Sequence, residues 1–560
     1  MPREILSIQV GQCGNQIGSR FWDLALREHA NRGVLFDDAM SSFFKFEERN
    51  FGEAPIIKAR AMVVDMEEGV INQLLKSDIG ELFDNHQLIK DVSGAGNNWA
   101  HAFYEYGRNY TKIIVEKLQK MMEECDSPQC FMLMHSIGGG TGSGLGSFIV
   151  KTLADEYPEM YKFTVSVFPS KDDDVITSPY NSILSLNQLI NCADCVLPID
   201  NQSLIDVCER VETDTKKENS RSALGNVNNV NSNYSNNYNS GSILNSNKNV
   251  LEFGKNNAGV KQKNYVMENK NNIGKGNSIN SNNTNNLNAN NKNADLININ
   301  NTNNNNNNAN TNNIQNKKKS ELVDLNNSKK KPYDKMNSII AHVLCNLTCS
   351  MRFEGSLNVD INDITMNLVP FPRMHFILSA ISPMYHVLDK KLEPRRLDQI
   401  FYDVFNKDHQ LISVDNLNNG VYLASALIAR GNINISDINT NLVKQRKNLK
   451  MVSWNHEGFK IGLCDQPPVN MNYGLLSLSN NTAISNCFEN LRDRFSLLYK
   501  RKAHVHHYYE YMKDKSDFDD AIGNVEKLIF DYNSIYNSQA NSIGGVNKQM
   551  EESMKLHPVI

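Results

Sequence analysis

Long hydrophobic runs are missing from this chain, although 40% of its 560 residues are hydrophobic. No stretch reaches the roughly 18 consecutive apolar residues of a membrane-spanning helix, which excludes a span of that kind. A charge excess is missing too, because 58 basic residues face 62 acidic ones and the net charge is −4. We therefore expect neither a nucleic-acid nor a membrane partner. The N-terminus runs directly into a strand-like segment, so no signal peptide is expected and a cytoplasmic or nuclear protein is favoured.

Closely spaced cysteines are few in this sequence. The ten cysteines are scattered, and only Cys192 with Cys195 and Cys345 with Cys349 stand at short spacings. A zinc site would require two well-spaced pairs with histidine or cysteine partners. We therefore predict reduced and mostly buried thiols, which are typical of a reducing compartment.

The composition changes sharply at about residues 212 and 331. Between these positions the chain consists mainly of Asn, with Ser and Lys. Such a segment has too little apolar surface to offset the entropy lost on ordering, so we predict a long disordered Asn-rich insert over 212–331. Closing a longer loop costs only about 0.6 kcal/mol per doubling of length. A surface position can therefore carry the insert, and we expect it to be dispensable to the chemistry.

Strand and helix patterns alternate on both sides of this insert. Over residues 1–211 the alternation predicts an α/β fold of the doubly wound type, with a mostly parallel sheet. A core helix over 332–349, a second α/β domain over 350–485 and a helical C-terminal region over 486–560 are expected to follow. In doubly wound sheets, ligands bind beyond the carboxyl ends of the strands.

The segment GGGTGSG at 138–144 is the most informative part of the chain. Its five glycines remove side chains, so that backbone amides can approach a ligand closely. An apolar strand pattern over 130–135 precedes it, and a helical pattern over 145–157 follows. A glycine-rich turn between strand and helix combines free amides with the positive end of the helix, which favours phosphate binding. The alternative, a glycine-rich surface loop without a ligand, does not account for this context.

Other predicted loops carry residues that bind nucleotides elsewhere. GQCGNQ (11–16) follows the first strand, Glu67 and Glu68 follow the second, and SGAGNN (93–98) is another glycine-rich turn. Acidic groups beside a triphosphate can hold Mg²⁺ directly or through water. The chain contains no GxxxxGK[ST] motif, so the predicted pocket is not a P-loop site.

A dinucleotide-dependent dehydrogenase is the competing α/β interpretation. That fold places GxGxxG directly after its first strand, with an acidic residue about 20 positions further on. Here the first strand leads to GQCGNQ, and the richest glycine turn comes much later. The spacing therefore disfavours a dehydrogenase.

Six segments along the chain form a recognisable set. They are GQCGNQ (11–16), SGAGNNWA (93–100), GGGTGSG (138–144), SPYNSIL (178–184), RFEGSLNVD (352–360) and NLVPFPRMHF (367–376). In this order they resemble the tubulin family over essentially the whole chain except the insert. The resemblance implies a tubulin-like GTPase domain, GTP or GDP with Mg²⁺ as ligands, and other tubulin-family subunits as partners in microtubule assembly.

Within that family, further segments are most similar to the epsilon branch. This similarity implies a cytoskeletal protein of the cytoplasm that acts at the centrosome, centriole or basal body, with centriolar or basal-body components among its partners. The segments include FWDLALREHA (21–30), DMEEGV (65–70), ADCVLPIDNQSL (193–204) and SWNHEG (453–458).

The resemblance also implies roles for individual residues. Asp65 and Glu67 match the magnesium loop, and Asp174 matches the sugar-side loop. Asn201 and Asn337 match two amides that read guanine, since an amide offers both a donor and an acceptor, and Tyr333 matches the stacking aromatic. Where alpha- and beta-tubulins have Glu, Ser178 offers the ribose no acidic acceptor. The remaining positions matched to nucleotide contacts are Gln12, Cys13, Gln16, Asn97, Ser136, Gly138, Gly139, Gly140, Thr141, Gly142, Ser143 and Gly144.

Asp360 and Asp363 open a predicted helix and share one face of it. One interpretation is purely structural, because acids at a helix N-terminus interact favourably with the macrodipole. The family resemblance adds a second role, since tubulins place an acid at the position of Asp363 against the nucleotide of the next subunit. Alpha-tubulin has Glu there and beta-tubulin has an inert Lys. We therefore predict a weak GTPase, completed in trans by Asp363 with Asp360 as the second candidate; a stand-alone GTPase and a non-polymerising regulator are the alternatives.

Overall fold

The structure is a computed structural model, and all residues that it describes belong to one unit. The predicted Asn-rich insert, Asp174 and the end of the predicted C-terminal region lie outside the described residues. The structure describes residues 3–31, 38–47, 55–170, 173, 175–211, 333–353, 355–384, 396–414, 417–455, 457–512 and 514–543.

A six-stranded parallel sheet organises the N-terminal part, in the order β5-β4-β1-β6-β7-β8. From β1 the chain first adds β4 and β5 on one side, and then β6, β7 and β8 on the other. This reversal makes the sheet doubly wound and puts the switch point between β1 and β6. Helices cover both faces, so β1 is buried along its whole length. The strands are β1 (Glu4–Val10), β4 (Ala61–Asp65), β5 (Leu88–Lys90), β6 (Pro128–Ser136), β7 (Tyr161–Phe168) and β8 (Cys195–Asp200).

The helices of this part follow the strands in the predicted alternation. Two of them begin with a widened turn of π-helix, at His101–Tyr106 before α3 and at Thr141–Leu145 before α4. Such turns are often found at functional sites. The helices are α1 (Gly11–Ala30), α2 (Glu68–Leu75), α3 (Gly107–Glu123), α4 (Gly146–Glu156), α5 (Ser178–Cys192) and α6 (201–211).

A mixed four-stranded sheet forms the second part, in the order β11-β10-β12-β9. It adjoins the first sheet through backbone bonds, because Val196 donates to His375 O and Ile377 donates to Val196 O, both at 2.9 Å. The strands β2 (Phe44–Glu47) and β3 (Ile56–Ala59) pair antiparallel and form a separate two-stranded sheet. The strands of the mixed sheet are β9 (Leu378–Ser382), β10 (Tyr422–Gly431), β11 (Phe459–Cys464) and β12 (Tyr473–Asn481).

The remaining helices complete the core and the C-terminal region. The core helix α7 is buried from Met336 to Leu347 and packs against α1. Among the described helices, none is long and apolar enough to cross a membrane. The helices are α7 (Asp334–Leu347), α8 (Cys349–Arg352), α9 (Ile361–Leu368), α10 (Leu397–Asp403), α11 (Ile435–Arg446), α12 (Ser485–Lys500), α13 (His506–Tyr509) and α14 (Asp517–Ile543).

A buried ion cluster joins α1, α8 and β10. Glu28 Oε2 lies 2.6 Å from Arg352 Nη2, and Glu28 Oε1 lies 2.8 Å from Arg430 Nη1. Burial acts to raise the pKa of the Glu28 carboxyl, but the two guanidinium groups outweigh burial and hold that pKa below its usual value. The cluster therefore requires all three members, because removal of the acid leaves two buried positive charges together.

We predict that Glu28→Ala lowers the free energy of unfolding by about 3–5 kcal/mol, because it leaves both buried arginines without a counter-charge. Urea unfolding monitored by circular dichroism measures the change. Asp23→Ala is a matched control on the same helix: it removes a surface pair with Arg27 (2.9 Å), which is worth roughly 1 kcal/mol or less. Equal effects of the two variants would contradict the proposed importance of the cluster.

Candidate functional site

Loops that follow β1, β5 and β6 meet at the carboxyl edge of the parallel sheet. Gly11, directly after β1, has φ +74°, and a Cβ atom placed there would lie 2.9 Å from the Gly142 nitrogen. A Cβ atom on Gly140 would lie 2.9 Å from the Asn97 nitrogen. These distances are too short for a side chain, so the three loops touch through bare backbone. The structure thus brings together the predicted positions Gln12, Asn97 and 138–144.

The glycine-rich loop also has an open side. A Cβ atom on Gly139 or on Gly96 would meet no other atom within 4 Å. The loop is closed internally, since Gly144 N donates to Gly140 O (2.8 Å) and Ser143 Oγ also donates to Gly140 O (3.1 Å). The N-terminal end of α4 and its widened turn follow directly, so the helix dipole favours an anion at this side.

A buried histidine forms a hydrogen bond with the glycine-rich loop. His135 Nδ1 lies 2.9 Å from Gly142 O and Nε2 lies 2.8 Å from Ser166 Oγ. The carbonyl can only accept, so Nδ1 carries the proton and the serine hydroxyl donates to Nε2. Burial lowers the pKa of His135 to about 4, although the bond to Gly142 O acts in the opposite direction. The ring is therefore neutral at physiological pH.

The two acids of the predicted magnesium loop, Asp65 and Glu67, lie at the carboxyl end of β4. Burial, with a smaller contribution from the charge of nearby Glu67, raises the pKa of Asp65 to about 6. Asp65 Oδ2 is buried and has no hydrogen-bond partner among the described residues. A divalent cation would supply the missing partner for this oxygen. Gly94, with φ +67°, lies so close to Glu67 that a Cβ atom there would be 2.8 Å from Oε1.

Two of the predicted base-contacting residues, Tyr333 and Asn337, lie at the start of α7. Asn337 Nδ2 is 3.4 Å from Gln16 Oε1, and Tyr333 is exposed at the start of α7. An ion pair between Arg20 and Asp334 holds α1 and α7 together beside them. Asn201 begins α6 at the same edge of the sheet, directly after β8.

Three further positions from the sequence analysis are Cys13, Ser178 and Ser136. Burial raises the pKa of the Cys13 thiol to about 12, so this thiol stays protonated. Ser178 is fully buried, and its Oγ lies 2.8 Å from where a Cβ atom of Gly138 would be. Ser136 Oγ accepts from Gly138 N at 3.3 Å. Ser178 therefore packs against the glycine-rich loop at Gly138.

Asn181 is a residue of the site that our sequence analysis missed. Its side chain is fully buried and bonds to Asn97 O (2.9 Å) and to Gly138 O (3.0 Å). It thereby ties two of the loops to α5. The segment SPYNSIL contained the signal, but nothing in the sequence shows that this particular amide faces both loops.

The two acids of the predicted trans site lie at the other edge of the same sheet. Asp360 Oδ2 accepts from Arg3 Nη1 (2.6 Å) and from Gln129 Nε2 (2.9 Å), at the amino ends of β1 and β6. Asp360 also caps α9, since its side chain accepts from Asp363 N at 2.7 Å. Asp363 is 42% exposed, and Lys460 Nζ lies 3.7 Å away. Asp363 is therefore remote from the phosphate loop of its own chain.

Comparison with known proteins assigns the class of this fold and site. Residues 4–209 match the Tubulin/FtsZ family, GTPase domain, and residues 372–493 match the Tubulin C-terminal domain. The chain belongs to the tubulin family. This membership implies binding of GTP or GDP and assembly with other tubulin subunits, and it sets the dehydrogenase interpretation aside.

Among its relatives, the chain resembles proteins named tubulin epsilon chain. It is 43% identical to the one from Mus musculus, over 94% of this chain and 95% of the relative. The corresponding human protein is 42% identical over the same shares. A human tubulin beta-1 chain is 27% identical over 96% of this chain and 95% of the relative. The predicted resemblance to the epsilon branch is thus confirmed, whereas the roles of individual residues stay predictions.

We predict that Gly140→Ala weakens guanine-nucleotide binding about five- to a hundredfold, because overpacking typically costs 1–3 kcal/mol. The added methyl group would press on Asn97 and Ala95. Equilibrium titration with a fluorescent GDP analogue measures the effect. Gly523→Ala in α14 is the control, since a Cβ atom there meets nothing within 4 Å. Unchanged affinity in Gly140→Ala would contradict the tight contact between the loops.

The neutral His135 predicts a pH effect on stability. The unfolded histidine binds a proton with a pKa near 6.5, whereas the folded one does so only near pH 4. Its contribution to stability is thus present above pH 6.5 and is lost as the pH falls towards 4. Between pH 7 and pH 5 the loss is about 2 kcal/mol.

We expect His135→Gln to lack this part of the acid sensitivity, as measured by urea unfolding at a series of pH values. Two other buried histidines, His342 and His375, also have pKa values lowered by burial to about 4. They are present in both chains and cancel in the difference. If the free energy of unfolding changed with pH in the same way for the variant and the wild type, His135 would not titrate as described.

Proposed function

We propose that the chain is a GTP-binding tubulin-family subunit, similar to epsilon-tubulin, that completes GTP hydrolysis at an interface between subunits. The separation of two edges of one parallel sheet supports this proposal. The nucleotide loops lie at the carboxyl edge, and Asp363 lies at the amino edge. Head-to-tail stacking of such subunits would bring the acid of one to the nucleotide of the next.

On this proposal, different loops contact the phosphates, the base and the metal ion. The amides of the 138–144 loop hold the phosphates, with Asn97 beside them. Asn201 and Asn337 face the base, on which Tyr333 stacks, and Gln16 lies beside Asn337. Asp65 and Glu67 hold Mg²⁺ directly or through water, and when bound this ion neutralises phosphate charge. Ser178 offers the ribose no acidic acceptor, and the sugar-side role stays assigned to Asp174, which lies outside the described residues.

The length of β6 argues against hydrolysis within a single chain. Gln129, which contacts Asp360, and Ser136, which opens the phosphate loop, lie near opposite ends of this strand. At about 3.3 Å per residue the strand between them spans roughly 23 Å. A group that orients the attacking water must lie within hydrogen-bond reach of it, at about 3 Å. Asp363 can therefore act only on a neighbour's nucleotide.

Asp360 and Asp363 have separate tasks on this proposal. The Asp360 carboxylate is engaged by Arg3, by Gln129 and by the start of α9, so it positions the helix. Asp363 is the acid with free surface and is the better candidate to orient water. Phosphoryl transfer depends mainly on such positioning and on charge stabilisation.

The cellular setting is the part of the proposal that rests on similarity alone. Resemblance to tubulin epsilon chains supports a role in microtubule organisation at the centriole or basal body, with components of those structures as partners. A GTP-binding regulator that never polymerises is the alternative. Co-sedimentation of purified chain with tubulin, in the presence of GTP or without nucleotide, separates the two.

We predict that Asp363→Ala leaves nucleotide binding by the isolated chain unchanged but lowers GTP turnover in the assembled mixture by at least about tenfold. The isolated chain is unaffected because the acid does not reach its own pocket. Phosphate release per chain, measured at matched extents of assembly, gives the result. Asp437→Ala on α11 is a control for loss of a surface acid.

The outcome that counts against interface hydrolysis is unchanged turnover in assemblies that contain only the Asp363→Ala chain. Loss of nucleotide affinity in the isolated variant would also count against it, since the acid would then serve its own pocket. A mixture of Asp363→Ala with Gly140→Ala separates the two edges further. The Asp363→Ala chain keeps its nucleotide pocket but lacks the acid, and the Gly140→Ala chain keeps the acid but has a weakened pocket. Hydrolysis should therefore continue only at interfaces where Asp363 of a Gly140→Ala chain meets the pocket of an Asp363→Ala chain.

A further inference from the structure

The Asn181 amide uses all its hydrogen-bonding capacity within the nucleotide site. Its Nδ2 donates to Asn97 O at 2.9 Å and to Gly138 O at 3.0 Å. Its Oδ1 accepts from Trp99 N at 3.0 Å and from the Tyr508 hydroxyl at 2.6 Å. Two carbonyls face the nitrogen and two donors face the oxygen, so only one orientation of the amide satisfies all four groups.

Tyr508 belongs to the C-terminal region, and the segment around it bonds repeatedly to the loops of the pocket. We call residues 503–508 the clamp segment. Asn98 Nδ2 donates to His507 O at 2.9 Å, and Tyr180 OH donates to Ala503 O at 2.7 Å. The Tyr508 ring is fully buried and packs edge-on against Tyr180, with ring centroids 5.4 Å apart.

The loops held by this segment have few side chains of their own to fix them. Gly138 and Gly140 offer only backbone, and Asn97 has a positive φ of 52°. Besides Asn181, Asn97 O also accepts from Thr177 Oγ1 at 3.1 Å. The carbonyl of Thr177 in turn lies 3.4 Å from the Tyr508 hydroxyl. The amide and this hydroxyl therefore connect both loops to the C-terminal region.

We propose that Tyr508, acting through Asn181, is a positioning residue for the nucleotide: the docked clamp segment holds the 94–97 and 138–144 loops in the arrangement that retains it. This inference rests on the proposed location of the nucleotide. Because coupling between two sites is reciprocal, bound nucleotide must strengthen docking of the clamp segment by the same factor. Arg501 and Lys502 are exposed beside that segment and His504 is exposed within it, so a partner that bound there and displaced the segment would speed nucleotide release.

The test compares two buried tyrosines of the C-terminal region. Tyr508→Phe removes the hydroxyl that meets Asn181, whereas Tyr532→Phe removes one that lies 3.5 Å from Asn480, away from the described loops. Loss of one such hydrogen bond predicts roughly fivefold faster dissociation of a fluorescent GDP analogue from the full chain. Tyr532→Phe should stay within about twofold of the wild type. Urea unfolding of both variants reports any general loss of stability.

Asn181→Asp is a second, nearly isosteric variant. It turns the nitrogen that faces Asn97 O and Gly138 O into an oxygen, so it should release the nucleotide faster than Tyr508→Phe does. A folded Tyr508→Phe or Asn181→Asp chain with the dissociation rate of the wild type would overturn the inference. Equal acceleration by Tyr532→Phe would do the same, since the effect would then be general softening.

Hydrogen exchange tests the same inference on the unmodified chain. Backbone amides of residues 503–512 should exchange more slowly with GDP bound, by the same factor that docking contributes to affinity. Equal exchange with and without GDP would overturn the inference. Failure of the wild-type chain to bind any guanine nucleotide is a different result, because it removes the proposed function and not only the clamp.

Discussion

Direct contact between bare backbones is the constraint on which the candidate site depends. The loops that follow β1, β5 and β6 approach one another at Gly11, Gly140 and Gly142, and the distances there leave no room for side chains. On the proposed function, this arrangement would turn peptide amides, rather than a lysine, towards the ligand. It also explains why surrounding side chains form hydrogen bonds with backbone carbonyls of these loops, above all those of His135 and Asn181.

The direction of the strands then gives the molecule two unlike ends. A parallel sheet gathers all its carboxyl ends at one edge and all its amino ends at the other. The carboxyl edge carries the loops suited to a nucleotide, and the amino edge carries α9 with Asp363. Neither edge is a complete hydrolytic site. The same polarity that builds the pocket thus makes a second subunit necessary for the proposed chemistry.

Much of this architecture follows from the sequence. Alternating apolar patterns predict the doubly wound sheet, and the glycine-rich turn between β6 and α4 predicts the anion site, because both depend on residues close together in the chain. The scattered cysteines are all free, as their spacing suggests. The contact of Asn181 with Tyr508 could not be predicted, since 327 positions separate them. The cluster around Glu28 escaped for the same reason, because its arginines come from α8 and β10.

Similarity and geometry support different parts of the account. The family match identifies the class of ligand, and the positions of the loops at one edge indicate where that ligand binds. The most direct test of this central claim is to identify the nucleotide retained after gentle purification, by chromatography of the released compound, together with its amount per chain. The account predicts close to one guanine nucleotide per folded chain, and much less in Gly140→Ala. An adenine nucleotide, or no nucleotide in the folded wild-type chain, would contradict it.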